Sequence, residues 1–388
     1  MITAARGFAH QLCGAPVDAR LRHLQDFTVA HPYLVEAKDR LMGAIRESPP
    51  NSLIFVLGPT GVGKTTLRRR VEQVLLQEIL VELETDRGRL PVVSIEAVAP
   101  ESGSFNWRDH FRRLLFQMDE PLVDFKRSPQ GSDGEERPGL RFAPGSRAAG
   151  SEYRYAVEQT LRHRRPLAVL IDEAQHLAKM ASGRKLLDQL DVIKSIANRT
   201  QTVHVLFGTY DLLAFRNLSG QLSRRSIDVH FPRYQAERNG DRRIFVNVVR
   251  SFEQQMPFAE PPELVRNWEY LYERSIGCVG VLKEWLVKAA SAVWRQGKDV
   301  LTLRDLESHA LSLSQCEKML AEATEGELRL AEGEAARSRL RARLGLESPS
   351  GQTSPMTATK FRKRPGHRRP RRDPIGEPVF AHAGISAI

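Results

Sequence analysis

The stretch Gly58-Pro59-Thr60-Gly61-Val62-Gly63-Lys64-Thr65-Thr66 contains the spacing G-x-x-x-x-G-K-[ST]. This is a phosphate loop: its glycines let backbone N–H groups turn toward phosphate oxygens, and the helix that follows offers its positive end to the same anion. Lys64 is expected to neutralise the β- and γ-phosphates of a nucleoside triphosphate, and the Thr65 hydroxyl to ligate Mg2+. Asp172 and Glu173 close the apolar run LAVLIDEA about a hundred residues downstream. Asp172, at the carboxyl end of a buried strand, is placed to hold the metal through water. Glu173 is placed to orient and deprotonate the attacking water. The two acids and the loop together predict hydrolysis rather than binding alone.

Two further positions complete the candidate site. Thr209 follows the apolar run VHVLFG. It either reaches the γ-phosphate or the water from a strand tip, or caps the next helix; the two roles are compatible. Arg224 and Arg225 stand just before a last strand, SIDVHFP. An arginine given across a subunit interface stabilises the transition state of phosphoryl transfer. Arg225 is the stronger candidate for such a finger; the alternative is a solvated basic pair.

These residues need a scaffold. The short continuous apolar runs LIFVL, RLPVVSIEA, LAVLIDEAQHL, VHVLFGT and SIDVHFP predict buried strands, and the segments between them carry helical periodicity over 106–118, 151–164 and 183–200. A helix is expected from the phosphate loop to about Leu83. From about Asn239 the strand signals stop, and four helices are expected, the last spanning LRDLESHALSLSQCEKMLAEA. Strands alternating with helices, then helices alone, indicate an α/β domain with a small helical lid. The predicted organisation is a helical lead-in over 1–50, a nucleotide-binding domain over 51–235, a lid over 236–320, a charged helix or linker over 321–345 and a basic disordered tail over 346–388. Residues 124–150, rich in Gly, Pro, Ser and charge, read as an insertion loop.

Composition narrows the setting. The 388 residues carry a net charge of +11, and eight basic residues without an acid fall between Thr357 and Arg372. Most of the excess is therefore in the tail, which either solubilises the chain, docks on another protein or grips nucleic-acid phosphates. Cys13, Cys278 and Cys316 have neither zinc-site spacing nor a disulfide framework, which points to a reducing, cytoplasmic setting. No membrane span and no secretion signal is expected.

GPTGVGKTTL, VLIDEAQHL, VLFGT, QLSRRS and GCVGVLKEWLVKAA together resemble the AAA+ family, over roughly 25–310, and within it the TniB and TnsC ATPases of transposons, relatives of IstB-like and origin-recognition initiator ATPases. The resemblance implies an AAA+ P-loop NTPase, a central parallel sheet flanked by helices with a helical lid. It also implies ATP and Mg2+ as cofactors and a slow, regulatory hydrolysis. Such proteins form a hexameric ring or helical filament of identical subunits on duplex DNA. They link a transposase to a target-selection protein, such as a CRISPR effector or a TniQ-like adaptor. The resemblance puts DNA contacts on the segment after the acids, with Lys179, Arg184 and Lys185 as candidates. Where many lids place a second sensor arginine, this chain has Gly280 and Lys283. Lys283 either substitutes for it or faces solvent.

A helicase-loading or secretion-associated ATPase is the alternative on the same fold. A structural adaptor locked by ATP is the alternative from another class, disfavoured by the intact Glu173.

Overall fold

The computed structural model describes residues 11–100, 105–125, 147–178, 184–216, 226–331 and 334–346. In chain order these contain α1 (Val17–Asp26), α2 (Pro32–Glu47), β1 (Leu53–Leu57), α3 (Lys64–Glu78), α4 (Leu80–Thr85), β2 (Val92–Glu96), α5 (Trp107–Gln117), α6 (Arg147–Arg164) and β3 (Ala168–Asp172). There follow α7 (Arg184–Thr200), β4 (Val203–Gly208), α8 (Leu213–Arg216), β5 (Ser226–His230), α9 (Asn239–Gln255), α10 (Trp268–Ser275), α11 (Val279–Arg295), α12 (Leu303–Glu307), α13 (Leu313–Leu330) and α14 (Glu334–Arg343).

The five strands form one parallel sheet in the order β2-β3-β4-β1-β5. Both faces of this sheet are covered, which explains why its strands read as unbroken apolar runs. Side chains alternate between the faces. Leu53, Phe55 and Leu57 pack with Ile95, Ile171 and Leu206 beneath α5, α6 and α7. Ile54 and Val56 pack with Leu170, Val205, Phe207 and Val229 beneath α2 and α3. Each such side chain contributes about 1.5–3 kcal/mol of burial.

The register brings the chemistry to one edge. Leu57 pairs with Gly208 and with His230, and Glu96 pairs with Asp172. The phosphate loop, the two acids and Thr209 therefore all leave the sheet at its carboxyl edge, where open parallel sheets bind ligands.

The lid has its own core of Phe245, Val249, Phe252, Leu282, Trp285 and Leu286. Leu21 and Leu24 of α1 join that core, whereas α2 packs on the sheet. The chain divides into two units, 1–331 and 332–388. In the second, the described residues are the helix α14 and the three that follow it.

Several elements differ from the sequence expectation. The helix after the phosphate loop breaks at Ile79, whose backbone (φ −108°, ψ 12°) is not helical, and resumes as α4. The segment expected to be the fourth lid helix is two helices. Thr302 and Ser312 each close a capping box with the residue three positions on, Asp305 and Gln315, so each starts a new helix. Within the expected insertion, helix begins already at Arg147, and 126–146 lies outside the described residues, as does the basic tail from 347 onward. The expected charged helix or linker over 321–345 holds the end of α13, with Ala323 and Gly326 buried, and the helix α14. Among the described residues, Cys13, Cys278 and Cys316 form no disulfide. No described helix is long and apolar enough to cross a membrane.

Candidate nucleotide-binding site

The phosphate loop joins β1 to α3. Gly63 takes φ +115°, a left-handed value that side chains resist, and this turns the chain directly into the helix at Lys64. Gly58 lies against the carbonyl of Phe231, which a Cβ would meet at 2.3 Å. Pro59 completes the first turn, and its carbonyl together with that of Gly58 accepts from Lys64 Nζ at 2.9 and 3.0 Å. Lys64 is buried, and burial pushes its amine below the usual range, while the carboxylate of Glu173 acts in the opposite direction. An ammonium held on neutral carbonyls beside a cavity is placed to bind an anion.

Thr65 Oγ1 donates to Asp172 Oδ2 at 3.0 Å. Asp172 is buried, and its other oxygen accepts from the backbone N–H of Glu173 at 3.0 Å. A hydroxyl and a carboxylate at this spacing are the hard oxygen donors that suit magnesium. The carboxylate also accepts from Arg68 Nε at 3.0 Å, and Arg68 in turn bonds Glu72 and Ser94. Arg68 thus ties α3, β2 and β3 together behind the site.

A cavity of about 830 Å³ opens in front of these groups. Thr60, Gly61, Gly63, Lys64, Thr65 and Thr66 form its floor, Glu173 and Thr209 one wall, and Gly280 and Lys283 of the lid another. Thr209 also caps the turn Tyr210–Leu212, accepting from Asp211 N, so it lines the cavity and caps at once. Val62 points elsewhere, into a small apolar cleft of about 30 Å³ formed with His31, Leu34, Phe231 and Phe252. His31 stacks on Phe231, and its Nδ1 lies 2.8 Å from the Tyr234 hydroxyl. Burial lowers the His31 pKa to about 4, so the ring is neutral at physiological pH. Gly63, Thr66, Gly280 and Lys283 border both spaces.

The lid meets the loop through its backbone. Val281 N donates to Gly61 O at 3.0 Å. A Cβ on Gly280 would stand 2.4 Å from the same oxygen. Gly280 is therefore a point of close approach. The amine of Lys283 is held by the Gln25 carbonyl at 2.5 Å, and burial lowers its pKa. It does not project freely into solvent.

Arg224, Arg225 and Lys179 lie outside the described residues. Arg184 and Lys185 open α7, but their side chains lie outside the description. Sequence reasoning missed His31, Arg68 and Gln175. His31 carried a signal, since a polar residue before Pro32 marks a helix N-cap. Arg68 was hidden in the run RRR, and Gln175 in a turn whose side-chain directions no periodicity reveals.

Residues 49–215 match the sequence model of a family described as an AAA domain. They carry the AAA+ P-loop NTPase fold. The matched span holds β1 to β4; β5 and the helices of the lid follow it in the chain. Three solved structures are similar to the chain. The ORC2 protein of Aeropyrum pernix, in its ADPNP–ADP complexes, is 15% identical over 75% of this chain and 72% of its own, with a TM-score of 0.47. The ORC1 protein of Aeropyrum pernix, in complex with DNA, is 18% identical over 75% and 68%, with a TM-score of 0.46. A Walker-type ATPase of Pyrococcus abyssi is 18% identical over 80% and 76%, with a TM-score of 0.39. No curated protein matches the chain significantly in sequence.

Proposed function

We propose that the protein is a Mg2+-dependent ATPase whose nucleotide state governs its assembly on duplex DNA, and that it serves as a regulator of DNA transposition. The observation that carries the enzymatic part is the convergence of Lys64, Thr65, Asp172, Glu173 and Thr209 at the carboxyl edge of the sheet. Lys64 exchanges the Gly58 and Pro59 carbonyls for phosphate oxygens. The Thr65 hydroxyl and the Asp172 carboxylate would hold magnesium, which would supply charge neutralisation to the phosphates. Glu173 accepts the proton of the attacking water, and Thr209 orients that water or the γ-phosphate from the tip of β4. The cleft lined by Val62, His31 and Phe231, about 30 Å³, adjoins the cavity and would have to widen to admit the nucleobase.

The finer reading rests on the sequence. GPTGVGKTTL, DEAQHL and QLSRRS resemble the TniB and TnsC ATPases, and the basic tail supplies charge for sequence-independent phosphate contacts. Arg225 would complete the site of a neighbouring subunit, so that ATP reports on assembly. The partners are duplex DNA, a transposase and a target selector.

Electron microscopy of the full chain with ATP, with and without duplex DNA, tests this reading. Wild type should form nucleotide-dependent rings or filaments on DNA, Lys64→Ala should form none, and Glu173→Gln assemblies should persist because hydrolysis releases them. Absence of any nucleotide-dependent assembly of wild type on DNA would sink the proposal.

A further inference from the structure

Gln175 lies in the short turn Ala174–Leu177, two residues after Glu173, and only 7% of its surface is exposed. Both ends of its amide are in use. Nε2 donates to Glu173 Oε2 at 2.5 Å, and Oε1 accepts from the backbone N–H of Thr209 at 3.3 Å. The two partners fix the orientation of the amide, since a carboxylate only accepts and a backbone N–H only donates. No other side chain of this length can do both at once.

The surroundings reserve space for it. A Cβ on Gly208 would stand 2.6 Å from Gln175 Oε1 and 2.7 Å from Leu212 Cδ1, so a glycine at the end of β4 is what lets the amide reach the strand tip. Glu173 has a left-handed backbone, φ +51°, uncommon for a residue with a side chain. Its carboxylate leaves the strand end in a direction that the sheet does not dictate. The Gln175 amide supplies that anchor.

We infer that Gln175 is a positioning residue for hydrolysis: its amide ties the Glu173 carboxylate to the backbone of Thr209, so that the base and the tip of β4 move as one body. The inference rests on the reading of Glu173 as the base. Displacement of Thr209 by a γ-phosphate would then be transmitted to the carboxylate through one side chain.

Steady-state kinetics of the full chain, with binding of a fluorescent ATP analogue measured alongside, test it. Gln175→Met keeps the length and removes both hydrogen bonds. Gln175→Glu keeps an acceptor for Thr209 but sets a like charge against Glu173. Loss of a hydrogen bond to a charged group should lower kcat about ten- to a hundredfold in the Met variant, with KM and nucleotide affinity within about threefold of wild type. The Glu variant should fall at least as far. A Met variant with wild-type kcat overturns the inference, as does one whose nucleotide binding and melting temperature fall together with kcat, since that marks a merely structural role. Glu173→Gln separates the two readings. If it turns over as fast as wild type, the base assignment fails and the inference with it. If it is inactive while Gln175→Met is fully active, only the inference fails.

Discussion

Replacing Gly280 by alanine sets two effects against each other. Alanine is the better helix former, by about 0.5–1 kcal/mol in a helix interior. By that measure Gly280→Ala, in the first turn of α11, should stabilise the lid. The contact opposes it. The new Cβ would stand 2.4 Å from Gly61 O and 3.1 Å from Gly61 C, both rigid backbone atoms. A carbon approaches a carbonyl oxygen comfortably only to about 3.3 Å, so the helix must retreat by roughly 1 Å. That retreat strains or breaks the 3.0 Å bond from Val281 N to Gly61 O. Overpacking costs about 1–3 kcal/mol and the lost hydrogen bond about 1 kcal/mol more. Sterics outweigh propensity, leaving a net loss of about 1–3 kcal/mol. Calorimetry of the nucleotide-free protein should show Tm lower by roughly 2–5 °C. Titration with a fluorescent nucleotide should show affinity about tenfold weaker, because the retreat also shifts the loop that aims N–H groups at phosphate. A variant that melts at or above the wild-type temperature would refute the close approach of lid and loop.

Other perturbations probe the same scaffold. Arg68→Met removes the cation beside the buried Asp172 carboxylate; it should cost about 3 kcal/mol in urea unfolding, and Mg2+ should restore part of that loss. Gly326→Ala would drive a Cβ to 2.0 Å from the ring of Tyr210. It should lower the urea midpoint, whereas Gly240→Ala, with nothing within 4 Å of its Cβ, should not lower it. His31, His110 and His204 are buried, and burial lowers each to about 4 from the ordinary 6.5. The unfolded chain therefore takes up protons that the fold refuses as pH falls from 6.5 toward 4. Stability should be greatest above pH 6.5 and drop by about 2 kcal/mol per histidine by pH 5. Urea midpoints that stay level between pH 7.5 and pH 5 would contradict this.

Much of the AAA+ domain was legible because its signals are local. LIFVL lies between a proline-rich stop and a glycine loop, and the strand occupies those five residues. The phosphate loop is a backbone device, so Gly58, Gly61, Gly63 and Lys64 reveal it by spacing alone. Where the sequence misleads, competing local chemistry decides. LRDLESHALSLSQCEKMLAEA keeps a helical apolar rhythm throughout, yet Ser312 and Gln315 bond each other's backbone and begin a second helix inside it. Ile79 is apolar and in phase with α3, but nothing in its type announces the break.

What remained hidden depends on partners distant in the chain. Gly280 and Gly326 sit within helices, where a glycine reads as a weak point or a hinge. Each is instead a point of contact. Gly280 admits the Gly61 carbonyl, and Gly326 admits the Tyr210 ring. Tyr210 directly follows Thr209, and beside Gly326 the Glu327 carboxylate accepts from Arg233 and Gln235 at 3.3 and 2.9 Å. The tip of β4 is therefore held from inside by Gln175 and from outside by α13, while the phosphate loop is held by the start of α11. The lid touches the AAA+ domain at both ends of the nucleotide cavity, through residues whose only sequence signal is a missing side chain. A reading based on side-chain chemistry finds Lys64, Thr65, Asp172 and Glu173 at the carboxyl edge of the sheet. It passes over those that let two backbones meet, and these are what make the lid part of the site.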